Sequence, residues 1–277
     1  MPFIDKREWD GPELFTFHHP GLINLFLQAA GINPPLYQQP ELLRILCQAF
    51  ARIPYENLTK IYKKAELLTA DRAIRTPDEV IGDYLRWGTG GTCFSLTAAM
   101  IALLRSLDFP ALPVLADRHY GINTHCAVIL ENAGMVNLID PGFLIYLPQE
   151  LPVTQPVRFP TLFNEIILDP VEGGKKINLY TIISGNKKYR LTYKIQPVDA
   201  DTFRQAWESS FGWEMMTYPL VTCINNNEHY YLQDSLLQVR SIAGSSRKKL
   251  TPEERYNFLT ARAGISSRVV QQGLRMF

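Results

Sequence analysis

In Thr124-His125-Cys126-Ala127-Val128-Ile129-Leu130-Glu131-Asn132-Ala133-Gly134-Met135-Val136-Asn137-Leu138-Ile139-Asp140, two apolar runs flank a short polar turn. That is the pattern of an antiparallel hairpin. A loop of Glu131, Asn132, Ala133 and Gly134 sets Leu130 against Met135. Counting back along both strands then sets His125 opposite Asp140, with Cβ atoms about 4.5–5.5 Å apart on one face. The rest of that face, Ala127, Ile129, Val136 and Leu138, is apolar. The spacing predicts an imidazole beside a carboxylate at the end of a buried face, where the carboxylate orients the ring and stabilises an imidazolium. A slip of one residue would undo the pairing. Taken alone, the pattern also describes a histidine satisfied within a core. Cys126 points to the opposite face from His125 and reads as core.

Upstream, Gly88-Thr89-Gly90-Gly91-Thr92-Cys93 is a glycine-rich turn followed directly by a helix. Leu96, Ala99, Met100, Leu103, Leu104 and Leu107 recur at helical spacing and predict one apolar stripe. Cys93 therefore opens a buried helix. A thiolate attacks and a thiol does not, so a nucleophilic cysteine needs a depressed pKa. A helix N-terminus supplies positive potential and free backbone N–H groups. The same N–H groups can serve as an oxyanion hole, and the glycines let substrate and backbone approach closely. A neighbouring imidazole completes a thiolate–imidazolium pair. The plainer reading is a small buried residue after an ordinary loop. Ser95 is an alternative nucleophile or a helix cap. Cys93, His119, His125 and Asp140 do not show zinc-site spacing, and no metal is expected.

The text before the glycine turn is helical. Gly21 to Ala30 is apolar-rich and ends at Gly31, and Glu41 to Phe50 repeats apolar residues at helical intervals. Thr76-Pro77-Asp78-Glu79 is a capping box with proline at the first helical position. The helix it opens buries Val80, Ile81, Tyr84 and Leu85 and stops at Gly88. From Pro110 the pattern changes to strands, with a second hairpin around Ser184-Gly185-Asn186. Thr251-Pro252-Glu253-Glu254 is another capping box, opening a helix through about Arg262.

The chain has 277 residues and a formal net charge of +1, which argues against nucleic acid or an anionic membrane as the main partner. No apolar run is long enough for a membrane span. Met1 to Gly11 lacks the apolar centre of a secretory signal, so a cytoplasmic location is expected. Thiols stay reduced there. Cys47, Cys93, Cys126 and Cys223 show no CxxC spacing and read as free thiols.

These residues resemble the arylamine N-acetyltransferase family. Its nucleophile motif, Arg-Gly-Gly-x-Cys-Phe-Glu, is similar to Thr89-Gly90-Gly91-Thr92-Cys93-Phe94-Ser95. Its Ile-Pro-Phe-Glu-Asn-Leu motif appears as Ile53-Pro54-Tyr55-Glu56-Asn57-Leu58, its histidine as His125, and its Asp-Val-Gly-Phe-Gly as Asp140-Pro141-Gly142-Phe143-Leu144. The resemblance covers about residues 53–144, and it implies an α+β fold around a core like that of the Cys-His-Asp cysteine proteases. Residues 1–109 would form a helical bundle, 110–198 an antiparallel β-barrel and 199–277 an α/β lid. It also implies a Cys93–His125–Asp140 triad and a ping-pong acyl transfer. The donor is acetyl-coenzyme A or another acyl thioester, used as co-substrate with no tightly bound cofactor, and the acceptor is a small aromatic amine or hydrazine. Tyr55, Phe94 and Phe143 would line the acceptor pocket, or else belong to the core, and Gly142 would meet the donor. Three positions depart from the family. Thr89 replaces an arginine expected to pair with Glu56, Ser95 replaces a glutamate, and Leu144 replaces a glycine near the donor. Arg86 is a candidate substitute partner for Glu56. Leucine at 144 is expected to forbid the positive φ that glycine permits and to crowd the donor. Alternatives are an amide synthase or acyltransferase of secondary metabolism, a Cys-His-Asp hydrolase, and a binding module that keeps the fold.

Overall fold

The computed structural model describes residues 14–67, 73–132, 134–183 and 185–277; the expectation for Met1 to Gly11 lies outside them. Helices Gly21–Ala30, Gln39–Phe50, Leu58–Leu67, Pro77–Trp87 and Cys93–Arg105 come first. Their ends follow the local signals. Gly31 closes the first at φ 70°. Thr76 and Glu79 make both bonds of the capping box, and Gly88 ends that helix at φ 67°. The Cys93–Arg105 helix departs from a one-sided stripe, because every residue from Cys93 to Leu104 is buried. It lies between the Pro77–Trp87 helix and two strands, and a helix covered on all sides keeps no polar face.

The strands are β1 (Tyr55–Glu56), β2 (Ala111–Arg118), β3 (Gly121–Asn132), β4 (Met135–Asp140), β5 (Ile145–Glu150), β6 (Val157–Pro160), β7 (Glu165–Val171), β8 (Lys176–Ile183), β9 (Asn186–Lys194), β10 (Leu220–Asn225), β11 (Glu228–Gln233), β12 (Leu236–Ser241) and β13 (Gly244–Lys249). Eight form one sheet in the order β5-β4-β3-β2-β9-β8-β7-β6. The sheet curls around Ala127, Ile129, Leu138, Leu168, Leu179 and Leu191. The expected barrel is thus a curled sheet whose end strands, β5 and β6, are not neighbours in the ladder.

The hairpin register differs from the sequence count. Asn132 faces Met135, Leu130 faces Asn137, and Val128 faces Ile139. The loop is shorter than four residues, and the ladder is displaced by two positions. Side chains alternate with a period of two, so an even displacement leaves each on its expected face. His125 is therefore a diagonal neighbour of Asp140, not its direct partner. Diagonal positions remain within reach of long side chains.

The second sheet runs β1-β10-β11-β12-β13. Val221, Tyr230 and Leu232 on one face pack with Phe258, Leu259 and Val270 from the C-terminal helices. Its first strand comes from the N-terminal half, where Tyr55 pairs with Thr222 and also bridges Gly91. The Ala200–Ser209 helix sends Phe203 and Trp207 into the core of the first helices. Packing and strand pairing thus cross the expected boundary at residue 199. Lys176 lies on β8, and Arg247 to Lys249 lie on β13.

Candidate active site

The glycine turn is held by backbone contacts that leave no space for side chains. A Cβ on Gly90 would stand 1.8 Å from the Pro54 carbonyl oxygen. The Glu56 N–H donates to the Gly91 carbonyl at 2.9 Å. This positions Cys93 at the first turn of its helix, where no side chain caps the N–H groups. Ser95 does not cap either, since its hydroxyl donates to the Thr92 carbonyl at 3.0 Å. The first-turn N–H groups stay oriented toward the Cys93 end of the helix.

His125 and Asp140 meet. His125 Nε2 lies 2.6 Å from Asp140 Oδ2, and both side chains are fully buried. The carboxylate has further donors: Tyr193 Oη at 2.6 Å on Oδ2 and the Phe143 N–H at 2.8 Å on Oδ1. The remaining ring nitrogen of His125 faces Cys93. Gly142 packs between the two, because a Cβ there would lie 2.7 Å from Cys93 Cβ and 2.8 Å from His125 Cε1. Glycine at 142 is thus a steric requirement of the cysteine–histidine contact.

The electrostatics favour a reactive sulfur. A hydrogen bond from the Cys126 thiol, reinforced against burial by the His125 hydrogen bond and the His125 and Arg118 charges, holds the Cys93 pKa well below the usual thiol value. Burial acts to lower the His125 pKa, but the Asp140 charge and the hydrogen bonds to Asp140 and Cys93 outweigh it, against Arg118, and raise it. Burial instead raises the pKa of Cys47, and pushes Cys223 up to about 12. One thiol of the four is set apart.

Cys126 is buried on the face expected of it, yet it is more than packing. Its sulfur lies 3.4 Å from Thr97 Oγ1 and reaches Cys93. Tyr193 and Arg118 also enter the site without a sequence signal. Tyr193 sits on β9, far from the hairpin in sequence. Arg118 ends β2 at a bulge, with Nη2 3.0 Å from His125 Nδ1.

Phe143 lies edge-on to the His125 ring at 6.5 Å between centroids. Tyr55 is buried, with its hydroxyl 3.9 Å from Met215 Sδ. Phe94 points the other way: its ring is fully buried and stacks on Trp207 at 6.1 Å, with Phe203 edge-on. His119 is exposed and packs on Tyr120. Among the described residues no cluster of histidine, cysteine and carboxylate suits a metal.

The arginine missing at Thr89 is supplied from elsewhere. Arg75 Nη1 lies 3.7 Å from Glu56 Oε1 and also donates to the Gly90 carbonyl, while Nη2 reaches Asp83 at 2.6 Å. Arg86 is not the substitute, since it lines a surface hollow with His18 and Asp78. Leu144 adopts φ 62°, so the side chain does not forbid the left-handed backbone there. That region costs a non-glycine residue about 1–2 kcal/mol.

No family model matches the chain, and no curated protein matches it. Solved structures do. An arylamine N-acetyltransferase from Mycobacterium abscessus superposes with a TM-score of 0.77 at 19% identity, covering 91% of this chain and 94% of that one. The arylamine N-acetyltransferase of M. tuberculosis gives 0.76 at 17% identity, covering 92% and 99%. That of Mycobacterium marinum, solved in complex with CoA, gives 0.73 at 17% identity, covering 92% and 96%. Identities this low speak to architecture, and both chains are covered almost throughout. The chain therefore has the arylamine N-acetyltransferase fold, with Cys93, His125 and Asp140 gathered where the glycine turn meets the curled sheet.

Proposed function

We propose that this protein is a cysteine acyltransferase that carries an acyl group from a thioester to an arylamine or hydrazine nitrogen. The observation that supports this most is the 2.6 Å His125–Asp140 contact beside a cysteine at an uncapped helix start. In the first half-reaction the Cys93 thiolate attacks the thioester carbonyl. The new oxyanion meets the first-turn N–H groups. Collapse breaks the donor carbon–sulfur bond, and the His125 imidazolium protonates the departing thiolate. In the second half, the amine attacks the Cys93 thioester, His125 takes the amine proton, and Cys93 leaves as thiolate. Asp140 keeps the imidazole oriented throughout.

The CoA bound to the M. marinum protein favours coenzyme A as the donor arm here. The two-sided expectation for Leu144 reduces to its bulk, because its backbone already holds the left-handed conformation. Leu144→Gly is expected to improve the apparent affinity for acetyl-coenzyme A. Intact-mass analysis after incubation with acyl thioesters tests the reading. One acyl group should appear on the wild type and none on Cys93→Ala. An amine should then discharge it faster than water does. Discharge by water alone would make the protein a hydrolase, and no adduct with any thioester would remove the acyltransferase reading.

A further inference from the structure

Cys126 touches the nucleophile but has no step in the acyl transfer described above. It stands on β3, inside the eight-stranded sheet, next to His125 in sequence and paired with Leu115 on β2. Its side chain leaves the strand on the face opposite to His125, toward the core that holds the Cys93–Arg105 helix. There its sulfur lies 3.4 Å from Thr97 Oγ1. Thr97 follows Cys93 by one turn, so both project from the same side of that helix. The Cys126 sulfur thus rests against a single helical turn. Thr97 holds it at one end, and at the other it meets the Cys93 sulfur, to which its thiol donates. Thr97 and Cys126 are fully buried, and Cys93 is 3% exposed.

Packing alone asks for no sulfur at this place, since any small residue would fill it. A second thiol in contact with a nucleophilic one permits chemistry that no other small residue does. The two contacting cysteines are also unlike. Cys93 is held toward its thiolate and Cys126 toward its neutral thiol. A thiolate that meets peroxide first, with a thiol waiting beside it, is the usual arrangement of a redox-sensitive pair. A disulfide further demands that the two cysteines already approach one another with their side chains turned together. Of the four cysteines, Cys47 lies on the Gln39–Phe50 helix and Cys223 on β10, and only burial shifts their thiols. Cys93 and Cys126 alone are in contact.

We propose that Cys126 is a resolving thiol for Cys93, so that a hydroperoxide converts the two into a reversible Cys93–Cys126 disulfide. With hydrogen peroxide, the Cys93 thiolate attacks one oxygen and the O–O bond breaks. The departing hydroxide takes the proton of the His125 imidazolium and leaves as water. Cys93 is then a sulfenic acid. Cys126 Sγ attacks the Cys93 sulfur, the S–O bond breaks, and the hydroxide leaves as water with the Cys126 proton. Two thiols have been oxidised to a disulfide, and one peroxide has been reduced to two waters. Cys126 is a weak nucleophile as a neutral thiol, and its fixed contact with the sulfenic sulfur offsets that. The disulfide withholds Cys93 from acyl donors and stops it short of sulfinic acid, which thiols do not reverse. A dithiol reductant returns both thiols by exchange.

The test treats the reduced wild-type protein with hydrogen peroxide, unfolds it in N-ethylmaleimide, and reads the intact mass and the peptide map. The protein should lose two hydrogens, take up maleimide at Cys47 and Cys223 only, and yield a cross-linked peptide containing Cys93 and Cys126. Dithiothreitol should restore both thiols. In Cys126→Ser and Cys126→Ala the mass should rise by oxygen instead. Cys93 should pass through a sulfenic acid that dimedone traps to a sulfinic acid that dithiothreitol does not recover. Should neither variant fold, the wild-type map decides by itself. Sulfinic acid at Cys93 in the wild type without the cross-link would overturn the inference. So would a bond from Cys93 to Cys47, to Cys223 or to a second molecule, or a Cys93 that peroxide leaves reduced. Equal recovery of Cys93 by dithiothreitol in the wild type and in Cys126→Ser would overturn it too. Acylation by thioesters is read separately on the reduced protein. Failure there would remove the acyltransferase reading and leave the disulfide standing, and absence of the disulfide would leave the acyltransferase reading in place.

Discussion

Asp140 makes three hydrogen bonds from a fully buried position, and only one of them is to the ring it orients. Tyr193 and the Phe143 N–H hold the carboxylate still, so that the ring is held in turn. Asp140→Asn keeps an acceptor oxygen for Tyr193 and preserves the fold, but it removes the charge that stabilises the imidazolium. Acyl transfer should fall by about 10⁴, and iodoacetamide should label Cys93 more slowly at neutral pH than in the wild type. Near-wild-type rates of both would mean that the buried pair does not serve the cysteine. The residues themselves were legible. Cys93 follows a glycine turn at a helix start, and His125 and Asp140 sit on matching strands. Arg118, Tyr193 and Cys126 were not, because nothing in a local pattern marks the residue that a distant strand brings to a ring.

At the scale of elements, the glycine turn before Cys93 depends on a tie between the first helices and the second sheet. Glu56 is fully buried on β1 and accepts from the Thr59 N–H at 2.9 Å and the Thr59 hydroxyl at 2.5 Å. Arg75 is the cation that compensates it, and it also holds the Gly90 carbonyl. Arg75→Ala would leave a buried carboxylate uncompensated, which typically costs about 3–5 kcal/mol. The melting temperature should fall accordingly, and the looser turn should slow Cys93 acylation as well. Arg75→Lys should recover part of the stability and less of the rate, since an ammonium cannot reach Glu56, Gly90 and Asp83 at once. A variant as stable as the wild type would show that Thr89 needed no replacement arginine. The hairpin teaches the complementary lesson. A count that errs by two residues still assigns the correct faces, because face depends only on parity.

Over the whole molecule, one buried base links stability to pH. Lys60 is 3% exposed, and its Nζ reaches the Ser210 carbonyl at 3.2 Å and sits 4.3 Å above the Phe211 ring. Burial lowers its pKa from 10.5 to about 7. Between those values the unfolded chain binds a proton that the folded chain does not. Unfolding therefore takes up a proton there, and stability rises with pH across this window, by at most about 1.4 kcal/mol per pH unit. Below it both states carry the proton and the contribution is flat. Lys60→Met should reduce the rise in melting temperature between pH 7 and pH 9. An unchanged slope would mean that Lys60 keeps its charge in the fold.

Helix starts and stops at Thr76, Gly31 and Gly88, the opening of a buried helix at Cys93, and the inward face of the hairpin all lie in runs of a few residues. Caps, glycine conformations and alternation are local physics, and they hold wherever the element is placed. The open edge of the curled sheet, the diagonal approach of His125 to Asp140, the arginine at 75 standing in for the one absent at 89, and the bulge that turns Arg118 onto His125 are different in kind. Each depends on how far a sheet bends or which helix lies across it, and those are set by packing the whole core at once, so only the tertiary structure could decide them.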